Sequence, residues 1–527
     1  MPSRMSRSGF VRDLRFVALS AFVVAGACAV SAAADVFSDI RYTDLVARLG
    51  ANAPTGQSIR IGQVEAPENA AGSYAPDTLL AEFAGTTFQL MSGTTAGASW
   101  HGTEVAKSLY GNTLSVAPGV DFVHVWNVNS WLGSAGLATG SGILPPATPA
   151  GVRVHNHSWI GSYGNLALDN EALRRIDYIA HRDSVLFTVG VNNGSGSAPQ
   201  PLMAYAYNTL AVGMADGNHA AAPTPSGIDG PGRRKPEIVA PGQFTSFATP
   251  VVGAAAALLF DAALRVPTIN ANANANRSIT VKAALMAGAT HRPGWSNGAP
   301  TSGANRGITT TPLDPIYGAD LLNIDRAHQI FTAGERAGTS TVQPTNILPN
   351  LGWDYIPSPP SGSSFYYTFR IYEPVAEVSV VATWFRQIAT TFTSSTLQNF
   401  DLRLWRVNNG TLTSISGDAG AGVYTSGNVE SNSLVDNTEH LYIRGLAAGT
   451  YVLELRRNAG TQATFPVVVA WHMPRTSPAA DIDGDGVVGS ADLGILLSQW
   501  GGSGSADLDG DGSVNSGDLG MLLSAWS

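Results

Sequence analysis

Three short segments carry side chains able to cooperate in acyl transfer, in the order acid, histidine, serine. Ile59 to Glu65 is a strand-like run ending in a carboxylate, and Trp100-His101-Gly102-Thr103 opens a helical stretch. Phe244-Thr245-Ser246-Phe247-Ala248-Thr249-Pro250 leads into the apolar stretch Val251 to Leu264. A serine hydroxyl is a weak nucleophile until a base takes its proton. Histidine can be that base near neutral pH, and a carboxylate can hold its tautomer and stabilise the imidazolium. A fourth segment, Phe187 to Gly194, ends a strand-like run in Asn192 and Asn193. An asparagine amide and the free N–H groups of a helix start would stabilise a developing oxyanion. Plainer readings compete: a lone serine before an apolar helix is more often an N-cap, and a strand-end glutamate is often a solvated charge. His155 and His157 alternate along one run, where two imidazoles on one face suggest a metal, but no third ligand accompanies them.

Such side chains need a frame. From residue 35 to about 333, apolar strand-like runs alternate with helical ones. Ser58 to Glu65, Gly119 to Trp126, Val152 to Trp159, Ser184 to Val191 and Thr209 to Met214 read as buried strands. Thr103 to Tyr110 and Ala172 to His181 read as helices, and the Asn/Ala repeat Ile269 to Arg277 as a surface loop. That alternation predicts a parallel sheet with helices on both faces, where sites form beside strand C-termini. From 340 to 474 only short β-type runs occur, among them Phe365 to Tyr372, Glu377 to Phe385, Asp401 to Val407, His440 to Arg444 and Thr450 to Arg456. These predict an antiparallel β-sandwich.

The motifs resemble the subtilisin-like serine proteases, or subtilases. His101-Gly102-Thr103 is similar to that family's histidine motif, and Thr245 to Pro250 to its serine motif, preceded by Lys235-Pro236-Glu237-Ile238-Val239-Ala240-Pro241-Gly242. Val116 to Gly119, Asn156-His157-Ser158-Trp159 and Tyr317 to Leu322 fit in order around them. The resemblance implies a subtilisin-like α/β domain and a serine endopeptidase acting on proteins or peptides. Ser246 would be nucleophile, His101 general base, Glu65 the orienting acid and Asn192 the oxyanion donor, with Asn193 the alternative if the register slips by one. Departures are plain: the family has aspartate where Glu65 stands, Phe244 replaces a glycine, Glu104 replaces a histidine, and residues 35–57 are few for a folding propeptide. Two rivals follow. One is a catalytically impaired, surface-binding protein that keeps the subtilase fold. The other is a sedolisin-like acid peptidase, which His101 argues against.

The tail repeats itself: Asp481-Ile-Asp-Gly-Asp-Gly returns as Asp507-Leu-Asp-Gly-Asp-Gly, each copy followed by an apolar helix, Ala491 to Trp500 and Gly517 to Trp526. A D-x-D-x-D-G loop with an acid at position twelve is a calcium-loop signature. Asp481, Asp483, Asp485, Asp492 and the carbonyl of Val487 would hold one Ca²⁺. Asp507, Asp509, Asp511, Asp518 and the carbonyl of Ser513 would hold the other. The duplicated loop and helix resemble a dockerin module. That implies a cohesin-type partner and a setting of polysaccharide breakdown.

Composition sets the remaining bounds. The 527 residues are 44% hydrophobic and only 13% charged, with 58 glycines and 30 prolines. This excludes general disorder, and a net charge of −9 argues against nucleic acid as a partner. Arg4, Arg7, Arg12 and Arg15, then the apolar run Phe16 to Val30 and Ala32-Ala33-Ala34, read as an export signal over 1–34. Its removal takes the charge to −12 and the single cysteine, Cys28, with it. The mature chain is expected to be secreted, without a membrane span. The expected domains are 35–335 (peptidase), 336–474 (β-sandwich) and 475–527 (linker and calcium-binding repeats).

Overall fold

The computed structural model describes residues 36–460, 465–474, 478, 480–483, 487–509 and 511–526. The export signal read over 1–34 lies outside these residues. Seven strands form one sheet: β1 (Arg60–Glu65), β2 (Thr87–Leu90), β3 (Phe122–Asn127), β4 (Val152–His157), β5 (Leu186–Gly190), β6 (Leu210–Met214) and β7 (Ile238–Ala240). Their order is 2-3-1-4-5-6-7, and every neighbouring pair is parallel. Every residue of β5 and β6 is buried, which is why these strands read as unbroken apolar runs. The strand order reverses between β1 and β4, and a crevice is expected there, beyond the strand C-termini.

Helices cover both faces. On one lie α1 (Tyr42–Leu49), α2 (Trp100–Tyr110), α5 (Thr245–Arg265) and α6 (Ser278–Ala287); on the other, the short α3 (Val128–Leu132) and α4 (Leu166–Asp183). Helix α5 is apolar all round and so lies in the core. It is also long and apolar enough by composition to cross a membrane, which the sequence reading did not expect, but 89% of its apolar window is buried in the protein. Gly253 lets α2 and α5 close up: a Cβ there would stand 2.8 Å from Leu109 Cδ1. Helix α7 (Ile324–Thr332) closes this unit.

Antiparallel sheets follow. One contains β8 (Leu351–Ile356), β10 (Val375–Trp384), β12 (Thr438–Leu446) and β14 (Val467–His472); the other contains β9 (Ser364–Ile371), β11 (Phe400–Asn408) and β13 (Gly449–Arg457). Their inner faces meet through Tyr367, Phe369, Trp384, Leu404, Leu453 and Trp471. This unit also packs on the first. All ten residues of α6 are buried, and one apolar core runs from α5 and α6 to Trp353, Tyr355, Val381 and Val468. Arg386 reaches across to Asp177 at 2.6 Å, both side chains buried, and Ile308–Thr309 pairs with Glu430–Ser431. The Asn/Ala repeat has no regular element, but it is not simply a surface loop. Asn272 and Asn274 donate to the Glu335 carboxylate, and Ile269 and Ala275 are buried.

Candidate active site

Glu65 is the last residue of β1 and is fully buried. Its Oε2 lies 2.8 Å from Nδ1 of His101. His101 is the second residue of α2, whose start is fixed by Ser99: its Oγ accepts the Gly102 N–H at 2.9 Å. The backbone N–H of His101 points to Glu68 Oε1 at 3.4 Å. Burial works against a charged imidazole here. The charge and hydrogen bond of Glu65, with the charge of Glu68, outweigh it, and the pKa of His101 is raised above its ordinary 6.5. The second oxygen of Glu65 is occupied as well. Gln63 Nε2 donates to Oε1 at 3.0 Å and to the Gly102 carbonyl at 2.8 Å, and the Tyr110 hydroxyl donates to Gln63 Oε1 at 2.5 Å.

Ser246 is the second residue of α5, half-buried at its N-terminus. Phe247, next to it, packs its ring 6.0 Å from the His101 imidazole and 6.3 Å from the exposed Trp100. The helix starts carrying His101 and Ser246 thus adjoin. The Ser246 hydroxyl donates to the Ser158 carbonyl at 3.3 Å rather than to His101. In return the Ser158 hydroxyl donates to the Ser246 carbonyl at 2.8 Å. That carbonyl needs an outside donor, because Pro250, four residues on, has no N–H to give.

The two asparagines after β5 take different partners. Asn193 Oδ1 accepts the Thr245 N–H at 2.8 Å and the Thr245 hydroxyl lies 2.9 Å away. It thereby caps α5, where Phe244, the N-cap residue, has no side chain able to do so. Asn192 Nδ2 donates to the Ala198 carbonyl at 3.0 Å.

Residues 89–299 match the model of the subtilase family. The chain carries the domain of a subtilisin-like serine endopeptidase. The subtilase match takes in His101, Asn192 and Ser246 but begins after Glu65. A search of the curated proteins finds no match. Among solved structures, the serine protease of Aeromonas sobria in complex with a chaperone is similar at 14% identity, covering 80% of this chain and 89% of that one, with a TM-score of 0.36. The same protease without the chaperone gives 15%, 80%, 89% and 0.33. A lanthipeptide protease is similar at 14% identity over 57% of this chain and 94% of that one, with a TM-score of 0.38.

Elsewhere in the subtilase domain, His155 and His157 lie in an aromatic core. Their rings contact each other, Nδ1 to Nε2 at 3.0 Å, and pack among Trp126, Trp131 and Phe187. Burial first, then neighbouring histidines, hold both uncharged, with His155 lowered to about 3. Among the described residues no third metal-ligating side chain joins them.

In the tail, Asp481, Asp483 and Asp492 bring carboxylate oxygens within 4.8 Å of one another, and so do Asp507, Asp509 and Asp511. Asp485 lies outside the described residues. Asp492 and Asp518 are buried at the starts of α8 (Ser490–Ser498) and α9 (Ser516–Ser524). Each accepts three backbone N–H groups: Asp492 from Ile482, Asp483 and Gly489, Asp518 from Leu508, Asp509 and Asn515. These aspartates therefore also tie each loop to its helix. The Ser513 carbonyl accepts from Asn515 Nδ2 at 2.9 Å. Val487 is partly exposed between the first loop and α8. An all-oxygen set of clustered carboxylates fits a hard cation such as Ca²⁺.

Sequence reading missed Gln63, Tyr110, Glu68 and Ser158 as members of this constellation. Gln63 had a local signal, lying two residues before Glu65 on the same face of the strand, and Ser158 was placed only as part of the family-like segment Asn156 to Trp159.

Proposed function

We propose that the protein is a secreted serine endopeptidase that hydrolyses peptide bonds through an acyl-enzyme on Ser246. The observation that carries this reading is the 2.8 Å contact between the buried carboxylate of Glu65 and the partly exposed His101. A carboxylate on Nδ1 holds the proton there and leaves Nε2 as the base. His101 takes the Ser246 proton as Oγ attacks the carbonyl, then returns it to the leaving amine. Asn192 and the free N–H groups at the start of α5 receive the oxyanion, which requires the Asn192 amide to leave Ala198. Ser246 must likewise leave Ser158 for His101, and catalytic hydrogen bonds commonly tighten only with substrate bound. Ser158 lies on Asn156-His157-Ser158-Trp159, a segment that resembles the family's substrate-aligning strand. A peptide backbone bonded there would compete for the carbonyl that now holds the hydroxyl. The tail is read as a dockerin-like module that binds two Ca²⁺ and a cohesin-type partner, and 1–34 as its export signal.

A casein zymogram of the purified protein, run with and without a serine-directed inhibitor, tests the activity. A cleared band that the inhibitor abolishes is expected. No clearing would instead favour the impaired, surface-binding reading.

A further inference from the structure

We infer that Gln63 and Tyr110 are positioning residues that let a glutamate serve as the acid of this triad. The inference rests on the reading of Glu65 as that acid. Glutamate has one more rotatable bond than aspartate, so its carboxylate must be restrained to stay on Nδ1, at an entropic cost. Here both oxygens are restrained: Oε2 faces His101 at 2.8 Å and Oε1 accepts from Gln63 Nε2 at 3.0 Å. The same Nε2 donates to the carbonyl of Gly102, the residue after His101, at 2.8 Å. One amide thus ties the acid to the helical turn that carries the base.

Tyr110 holds the other end of that amide. The Glu65 carboxylate and the Gly102 carbonyl can only accept and so take the NH₂ end, and the Tyr110 hydroxyl donates to Gln63 Oε1 at 2.5 Å, fixing the side chain in place. Gln63, Glu65 and Tyr110 are all fully buried, where water cannot substitute for a lost partner. Burial, then the Glu65 charge, pushes the Tyr110 pKa well above its usual value, so it remains a phenol and a donor at any working pH. Gly102 adjoins this side chain: a Cβ there would stand 3.0 Å from the Tyr74 carbonyl and in ordinary contact, 3.4 Å, with Glu65 Cγ.

A double-mutant cycle tests this in the full-length protein. Tyr110→Phe keeps the ring that packs on Phe83 and Phe88 and removes only the hydroxyl. It is expected to lower kcat about tenfold, the order of one buried hydrogen bond, with KM changed less than about twofold. Gln63→Met removes the whole relay and is expected to cost more. In the Glu65→Gln background neither change should lower kcat further, since both act through the carboxylate. A structural role would instead add the same loss in both backgrounds, and that would overturn the inference. Wild-type kcat in Tyr110→Phe beside a crippled Glu65→Gln would overturn it alone. Wild-type kcat in Glu65→Gln would overturn it together with the triad reading.

Discussion

Replacing Glu65 by glutamine should cripple the enzyme while leaving it folded, and the surroundings of this side chain set the size of the effect. The substitution keeps volume at a fully buried position. Gln63 Nε2 needs an acceptor at the former Oε1, so the new amide keeps its oxygen there and turns NH₂ towards Nδ1 of His101. A donor facing Nδ1 selects the tautomer with its proton on Nε2, which cannot take a proton from Ser246. The imidazolium of the transition state also loses a charged hydrogen bond, about 1.5–3 kcal/mol or roughly 10–10² in rate. The analogous change in a serine triad costs about 10⁴ in kcat. The nearby Glu68 charge still favours the imidazolium, so we expect a loss of about 10³ with KM little changed. The pH profile should move too. His101 must be uncharged to act as base, so activity rises with pH through its pKa, which Glu65 holds above 6.5. Without that carboxylate burial is opposed only by Glu68, and the acid limb of kcat/KM should shift to lower pH. Glu65→Asp keeps the charge but withdraws it by one bond, about 1.5 Å, and should cost about tenfold. Initial rates on a chromogenic peptide across pH measure all of this. A Glu65→Gln enzyme at the wild-type rate, with an unmoved acid limb, would refute the reasoning.

The two asparagines should separate. Asn192→Ala should lower kcat by about 10²–10³ as an oxyanion donor is lost, whereas Asn193→Ala should cost about 1–2 kcal/mol of stability as α5 loses its cap. Rates and urea midpoints distinguish them, and the reverse pattern would show that the donor is Asn193. Chelator should reduce the helicity of residues 481–527 and Ca²⁺ restore it, since metal binding is coupled to folding; circular dichroism of the isolated tail unchanged by either would contradict the two calcium loops. Acid should destabilise the fold. His155 and His440 are buried uncharged, each lowered to about 3 chiefly by burial. The unfolded chain takes up protons near pH 6.5 and the folded one does not. Stability is therefore lost as pH falls from about 6.5 towards 3, by about 1.4 kcal/mol per histidine per unit. Equal urea midpoints at pH 7.5 and 5 would count against this.

The frame of the site was legible wherever chemistry and periodicity coincide. β1 ends in Glu65, and His101 and Ser246 are the second residues of α2 and α5, as the strand-like runs and helix starts imply. β2 and β7 were missed because they are only four and three residues long, too short for a pattern, and they belong to the sheet through neighbours distant in sequence. β8 and β14 are six residues each but were also missed: Leu351–Ile356 and Val467–His472 pair with each other across more than a hundred residues, a partnership no local pattern displays. Tyr110 carries no local signal either. It meets Gln63 only because α2 packs over β1, and Ser158 reaches Ser246 only because β4 ends beside α5. The cap made by Asn193 follows from Phe244, which leaves the start of α5 without its own acceptor.

Labelling with a fluorophosphonate, followed by peptide mapping, tests the nucleophile most directly. Only a serine activated by its neighbours forms the covalent adduct. Stoichiometric modification at Ser246, absent from Ser246→Ala and strongly slowed in Glu65→Gln, is the expected result. No adduct on a folded protein, or an adduct on another serine, would contradict a triad of Glu65, His101 and Ser246.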